Sequence, residues 1–350
     1  MKDYIIVGGG LAGISFVETA YTNGKSFIVV SDSSQNSSLV AAGIYNPVIL
    51  KRLRLNQNAA EHVECMEPFY KRIEKRLGVK FDFEIPVYRK FASVEEQNDW
   101  FNAADKPVLG HFLSTSLIHT QYEYLPAPFG FGKVLHTGYM DTSILINAYH
   151  DFLTISGSLL NETFDHDALD IHTDHNIYKG MEARHIIFAE GFGMRSNPYF
   201  SHLPLEGTKG EILVIRAPLL QLDAIVNAGV FILPMGNDIY KVGATYEWHD
   251  KTDIPTEKAR NELIERLNDV ITCDYEIISQ LAGVRPTTKD RKALVGTHPE
   301  FKNVHLLNGL GTRGVILGPA MAKELYNSIE MGIPVPHEIN LERFSRKIMQ

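Results

Sequence analysis

The chain opens with Lys2-Asp3-Tyr4-Ile5-Ile6-Val7-Gly8-Gly9-Gly10-Leu11-Ala12-Gly13, and few folds accommodate such a start. Residues 4–7 are β-branched or aromatic, which predicts a short buried parallel strand. The glycines follow at once, spaced Gly8-x-Gly10-x-x-Gly13. Ile14 to Tyr21 reads as a helix stopped by Asn23-Gly24, and Phe27 to Val30 as a second buried strand. Strand, glycine turn, helix and strand in that order open a dinucleotide-binding unit. Each glycine has a physical task. Gly8 turns the chain off the strand, Gly10 has no Cβ to keep a pyrophosphate away, and Gly13 lets the helix pack close to the sheet. The first-turn N–H groups around Leu11, Ala12 and Gly13 then face the phosphates with the positive end of the helix dipole. The acid that binds the adenosine ribose should close the second strand. By spacing that position is Ser31, with Asp32 next. Asp32 is the expected ribose ligand; the other reading leaves the ribose to the Ser31 hydroxyl and water, with Asp32 facing solvent.

At 350 residues the chain can bury a large core and is expected to form two domains. Its net charge of −8 argues against a dedicated nucleic-acid or anionic-membrane surface. The two cysteines, Cys65 and Cys273, have no metal or redox spacing and read as buried, inert thiols of a reducing compartment. No segment approaches a membrane span and the opening lacks a secretory pattern, so a cytoplasmic location is expected.

Further along, Leu39 to Val48 is small and apolar, and contains Ala41-Ala42-Gly43; such residues let backbone lie against a flat ligand. A basic patch of Lys51, Arg52 and Arg54 follows, read either as a solvated turn or as a positive rim steering an acidic substrate. Residues 57–77 and 142–154 read as helices, the second with Asp141 as N-cap. Residues 158–179 read as a β-meander whose acidic and histidine residues lie on a solvated face. Residues 184–189, 210–216, 229–234, 239–246 and 304–307 read as strands, and 255–271 and 320–329 as helices. Tyr240, Val242, Ala244 and Tyr246 share one face of a strand by period two.

Three stretches together resemble the FAD-dependent amino-acid oxidase family, the group of D-amino-acid, glycine and sarcosine oxidases. They are Val7 to Gly13, Ala41-Ala42-Gly43, and the C-terminal run. That run holds Gly283-Val284-Arg285-Pro286-Thr287-Thr288-Lys289-Asp290, then Ala293-Leu294-Val295-Gly296, then Val304 through Gly309, Gly311, Thr312, Arg313, Gly314 and Val315 to Pro319. Weaker echoes lie at Gly138-Tyr139-Met140-Asp141, Ala189-Glu190-Gly191 and Gly243-Ala244-Thr245.

The resemblance implies an α/β fold. A Rossmann-like FAD-binding domain would occupy residues 1–80, 137–200 and 280–350. A second, mixed-sheet substrate domain, an α+β roof, would occupy 81–136 and 201–279. It also implies FAD as cofactor, held non-covalently, because Val284-Arg285 stand where sarcosine oxidases carry their flavin-attachment cysteine. Gly191 and the run from Gly309 to Val315 would lie against the cofactor. The N–H groups of that run, with the dipole of a helix after Pro319, would face the flavin N1–C2=O edge, where negative charge gathers on reduction. Arg285 matches the arginine that holds the substrate carboxylate in the glycine-oxidase branch, and a guanidinium fork suits that task. A structural ion pair is its other reading. Arg313 matches a second arginine of that branch, and Tyr240 or Tyr246 could add a hydrogen bond to the carboxylate if their face looks at the flavin; ordinary sheet packing is the tyrosines' other reading. The implied reaction is oxidation of the C–N bond of an amino acid or N-alkyl amino acid, with hydride passing to flavin N5 and hydrolysis of the imine. The alternatives are 2-hydroxy-acid oxidation, which more often uses a histidine base, and a flavin-dependent tRNA-modification step. A small carboxylate substrate is the expected partner; the electron acceptor is left open.

Overall fold

The computed structural model describes residues 1–347 apart from 33, 35, 57, 120 and 121. The loop expected over 33–38 and the helix start expected at 57 therefore fall partly outside the described residues. At the centre of the first half, Phe27–Val30, Lys2–Val7, Met181–Phe188 and Val304–Asn308 lie side by side and parallel. Leu159–Leu160 extends this sheet beside Phe27–Val30 instead of joining the expected meander. Leu169–Ile171 and Asn176–Tyr178 form a hairpin on the first half of Met181–Phe188, and Leu294–Thr297 runs antiparallel to Val304–Asn308.

Successive side chains of these strands enter different cores. Tyr4, Ile6, Val29, Ile187 and Leu307 pack under helices Leu11–Thr22, Ala59–Leu77, Thr142–Ile155 and Gly314–Met331. Ile5, Val7, Ile28, Val30, Ile186 and Phe188 pack against Phe164, Tyr178 and Phe200 on the other side. Both faces are dry at the centre of the sheet, so residues 4–7, 27–30 and 186–188 are apolar throughout rather than alternating. Each such side chain contributes about 1.5–3 kcal/mol by burial. Asp141 caps its helix as expected, its carboxylate accepting from the N–H groups of Ser143 and Ile144.

The closing helix departs from expectation. It spans Gly314–Met331, six residues earlier than 320, with Pro319 inside it. Proline removes the donor that would serve the carbonyl four residues back, at Val315. The Tyr70 hydroxyl serves it instead, donating at 3.0 Å. One substituted hydrogen bond thus lets the helix run through the proline and start at the glycine run.

The roof is a mixed eight-stranded sheet. In order it holds Glu276–Arg285, Thr208–Arg216, Ile239–Gly243, Val230–Gly236, Ile225–Ala228, Val87–Lys90, Phe131–Val134 and Leu113–Ile118. One face packs on helix Glu257–Asn268 through Leu213, Ile215, Leu263 and Leu267. Gly210 and Ile212, on the opposite face, look toward the first half. Two elements cross the expected division at 80/81 and 279/280. Asp82–Glu84 joins a three-stranded sheet with Ile44–Tyr45 and Gly138–Met140, and Glu276–Arg285 is the roof's edge strand. An edge strand pairs on one side only, here with Thr208–Arg216, and its irregular burial gives no clean alternation to read.

Candidate active site

A cavity of about 600 Å³ runs between the parallel sheet and the roof. At one end lie Gly8, Gly10, Leu11 and Ala12, with Ser31 and Asp32 from the end of the second strand. Gly8 has φ +109° and sits against the strand end of Ala189, where a Cβ would fall 2.4 Å from the carbonyl oxygen. A Cβ on Gly13 would fall 1.9 Å from the Gly8 carbonyl oxygen, so Gly13 sets helix-to-turn packing and does not line the cavity. Gly10 has ordinary φ, and a Cβ there would meet only Ser38 Oγ, at 3.1 Å. Its missing side chain keeps open the space before the first helical turn, whose N–H groups have no intrahelical acceptor. Asp32 is half-buried and hydrogen-bonded. Burial pushes its pKa up, but hydrogen bonds from the Ser34 N–H (2.9 Å) and the Thr163 hydroxyl (2.7 Å) hold it below its usual value.

Gly9, the unassigned middle glycine of the turn, also has a task. His150 Nε2 donates to its carbonyl at 3.0 Å, and a Cβ on Gly9 would lie 2.4 Å from that nitrogen. His150 thus reaches in from helix Thr142–Ile155 and closes the turn. The run of three glycines was the available signal; its partner, more than 130 residues away, was not legible.

Ala41, Ala42 and Gly43 line the middle of the cavity. Gly43 has φ +71°, and a Cβ there would fall 1.8 Å from the Met140 carbonyl oxygen. Facing this segment are Gly191, Gly311, Thr312, Gly314 and Val315. The closing helix starts at Gly314, so its free N–H groups and positive end lie at the cavity directly. Gly309 lies away from the cavity; a Cβ there would press on Thr288 and Leu294. Asn308, which sequence reasoning missed, holds this corner: its amide donates to Gly191 O at 2.8 Å and its Oδ1 accepts from Gly309 N–H.

At the roof end lies Arg285. Its guanidinium donates to Thr245 O at 3.3 Å and packs over the Tyr246 ring, 4.8 Å from the centroid. It rests on bare backbone, because a Cβ on Gly210 would fall 1.9 Å from Nη2. A glycine inside a strand marks such close approach. Burial pulls the guanidinium's pKa down, with the Tyr246 phenol acting the other way. Among the described residues Arg285 makes no ion pair, in contrast to Arg76 with Glu18 or Arg89 with Glu96. A desolvated cation with free donors therefore faces the cavity.

Two of the expected substrate-side residues, like Gly13 and Gly309, are also elsewhere. Tyr240 is buried in the roof core beside helix Glu257–Asn268. The period-two argument fails because the strand ends at Gly243, after which the chain turns Ala244 and Tyr246 into the cavity. Arg313 points away from the main cavity into a smaller one of about 190 Å³, beside His62 and Lys323, and donates to Arg291 O. The short 3-10 turn Gly311–Arg313 before the helix sends Thr312 to one side and Arg313 to the other. Lys51, Arg52 and Arg54 are exposed on a small hairpin, with Lys51 in a groove that continues the cavity outward.

The elongated cavity fits an extended dinucleotide. It places a glycine turn and one helix start at one end, small residues and a second helix start at the middle, and a roof over the rest. Neither cysteine lines it. No helix among the described residues is long and apolar enough to cross a membrane. Compared with known proteins, residues 3–327 match the family model described as FAD dependent oxidoreductase. The chain is 27% identical over 191 residues to the tRNA 5-methylaminomethyl-2-thiouridine biosynthesis bifunctional protein MnmC of Shewanella halifaxensis, covering 43% of this chain and 29% of that protein. It is 26% identical over 145 residues to glycine oxidase of Bacillus subtilis, covering 39% of each. The matches thus span less than half the length of these relatives. In structure it is similar to glycine oxidase from Bacillus cereus, with TM-score 0.77, 21% identity and 96% of each chain covered.

Proposed function

The chain belongs to the FAD-dependent oxidoreductase family, and from that premise we propose that it oxidises the C–N bond of an amino acid or N-alkyl amino acid held by Arg285. The observation behind this reading is the buried guanidinium that faces the cavity with no acid beside it. A carboxylate bound there gains a bidentate, desolvated partner and relieves an uncompensated charge.

FAD, when bound, supplies the two-electron acceptor. The residues that would hold it are Gly8, Gly10 and the first turn of Leu11–Thr22 at the pyrophosphate, Ser31 and Asp32 at the ribose, and Ala41–Gly43 with Gly311, Gly314 and Val315 at the ring. Non-covalent binding is supported by where the cysteines lie, Cys65 at the second cavity and Cys273 in the roof core. On the substrate side Arg285 fixes the carboxylate and Tyr246 supports the guanidinium from below. Ile212, Ile225 and Phe231 roof the space and exclude water from the reacting carbon.

Among the described residues the histidines lining the cavity, His150 and His166, stand at its nucleotide end, His150 bonded to Gly9 and His166 Nε2 3.2 Å from Glu190 Oε1. Among the described residues the roof end of the cavity offers neither histidine nor carboxylate. An amine substrate binding as the free base needs none, whereas a 2-hydroxy acid needs a base to take its hydroxyl proton. This favours the amine reading. A tRNA-modification step is the second reading, favoured by the MnmC match.

The deciding experiment is anaerobic flavin bleaching with D-amino acids, glycine, sarcosine, N-methyl amino acids, 2-hydroxy acids, and tRNA bearing aminomethyl-uridine. Bleaching by an amino acid alone is expected. Bleaching by hydroxy acids alone, or by tRNA alone, overturns the assignment.

A further inference from the structure

The cavity does not end at Arg285. Across the roof sheet from Arg285, on the same face, it opens into a groove through Asn46, Leu50 and Asn227, which line both, and the groove continues to Lys51 and Arg89. The polar groups of this mouth are arranged one way. Asn46 Oδ1 accepts from Val48 N–H at 2.8 Å, and Asn227 Oδ1 accepts from Arg89 Nη1 at 2.8 Å. Both amide oxygens are thus used internally, leaving the two Nδ2 groups as donors. Glu96 is also used: it takes Arg89 Nε and Nη2 and the Ala92 N–H. Lys51 makes no ion pair among the described residues. What remains at the mouth is donors and cation, in a chain of net charge −8.

The hairpin holds this arrangement in place. Val48–Ile49 pairs with Arg54–Leu55, and Val48, Leu50, Leu53 and Leu55 pack into the roof's second core with Trp100. Its apolar side is therefore anchored, while Lys51, Arg52 and Arg54 stay in water.

We infer that the mouth is a second anion subsite, and that the substrate is an amine-bearing acid with a distal carboxylate or phosphate. This rests on Arg285 holding the first carboxylate. Asn227 pairs with Phe231, Phe231 with Gly243, and Gly243 with Ile212, so Asn227 stands three strands from Ile212 and two residues off the level of Gly210. At ordinary strand spacings that separates Asn227 from the Arg285 guanidinium by on the order of 15 Å. With about 3 Å of hydrogen bond at each end, the two anionic groups stand on the order of 9 Å apart. An extended chain of roughly seven or eight bonds spans that distance. Ile212, Ile225 and Phe231 line the interval and suit an apolar linker.

The test uses the holoenzyme and its flavin absorption shift. Straight-chain monocarboxylates, α,ω-dicarboxylates and ω-phosphonocarboxylates of increasing length are titrated into wild type, Lys51→Ala and Lys51→Glu. In wild type, the dicarboxylate of about eight to ten carbons should bind about fivefold to tenfold more tightly than the matching monocarboxylate. Short dicarboxylates should show no such gain. Lys51→Ala should remove the gain and Lys51→Glu should reverse it. A larger gain for the phosphonocarboxylate identifies a phosphate-bearing substrate; an equal or smaller gain identifies a dicarboxylate. A monocarboxylate response with no length-dependent gain overturns the second subsite alone, as does equal weakening of both series in Lys51→Ala. Displacement of the ligand by tRNA at lower concentration than by any dicarboxylate also overturns it. If no carboxylate perturbs the flavin, the Arg285 reading fails and this one fails with it.

Discussion

The two walls of the cavity present different chemistry. The lower wall is mostly backbone: Gly8, Gly10, Ala41 to Gly43, Gly311 and Gly314 offer N–H groups, carbonyls and close approach. The upper wall is mostly side chains: Arg285, Tyr246, Ile212, Phe231 and Asn227, carried on separate strands or on the segment just beyond one. A backbone wall can recognise only what fits the path of the chain, and any added side chain intrudes on it. A side-chain wall can be altered one residue at a time with the sheet left intact. The first suits a group that never varies, the second a group that defines specificity.

The largest expected effect is on the lower wall. Gly10→Val should abolish FAD binding, because its methyl groups enter the space before the helix start. Flavin content per folded chain is the measurement; a variant that folds and keeps its flavin would show that the phosphates lie elsewhere. On the upper wall Arg285→Ala should leave the flavin spectrum in place but weaken carboxylate binding by about 2–5 kcal/mol. Arg285→Lys should recover only part of this, since an ammonium lacks the planar fork. Unchanged carboxylate titrations in Arg285→Ala would remove the clamp from this site.

Gly210→Ala sharpens the contrast, because this glycine belongs to the side-chain wall. Its Cβ would displace the flexible guanidinium rather than backbone. Carboxylate affinity should fall by about 1–2 kcal/mol, with flavin content and melting temperature close to wild type. Loss of flavin in this variant would make Gly210 part of the cofactor wall. The smallest effect should come from Arg313→Ala. That side chain faces the other cavity, so carboxylate binding should change by no more than about 0.5 kcal/mol. A loss comparable with that of Arg285→Ala would place Arg313 in the substrate site after all.

The same contrast decides what was legible in the sequence. Gly8, Gly10, Ala41–Gly43 and Gly314 announce themselves because each stands in a contiguous motif, although the backbone that Gly8 and Gly43 press on, Ala189 and Met140, is distant in the chain. Arg285 was legible through Gly-Val-Arg-Pro, but not its seat on Gly210, which exists only once Glu276–Arg285 pairs with Thr208–Arg216. Tyr240 was misplaced because period two was carried past the end of its strand. Arg313 was misplaced because a 3-10 turn rotates neighbouring residues to different sides. Pro319 concealed the helix start, since its helix-breaking effect was cancelled by a hydroxyl from Tyr70.

The parallel sheet sets Lys2–Val7 beside Met181–Phe188, and Met181–Phe188 beside Val304–Asn308. The glycine turn is made well before its latch, His150, and before the last parallel strand of its sheet. At about 5–20 residues per second, synthesis separates the first strand from the last by roughly 15–60 s. During that interval the apolar strands lack their final neighbour and the ring side of the cavity has no Gly311 or Gly314. Cofactor capture is therefore expected only once Gly311 and Gly314 have been made. A ribosome stalled before residue 300 should present a nascent chain that retains no flavin, however good its opening motif.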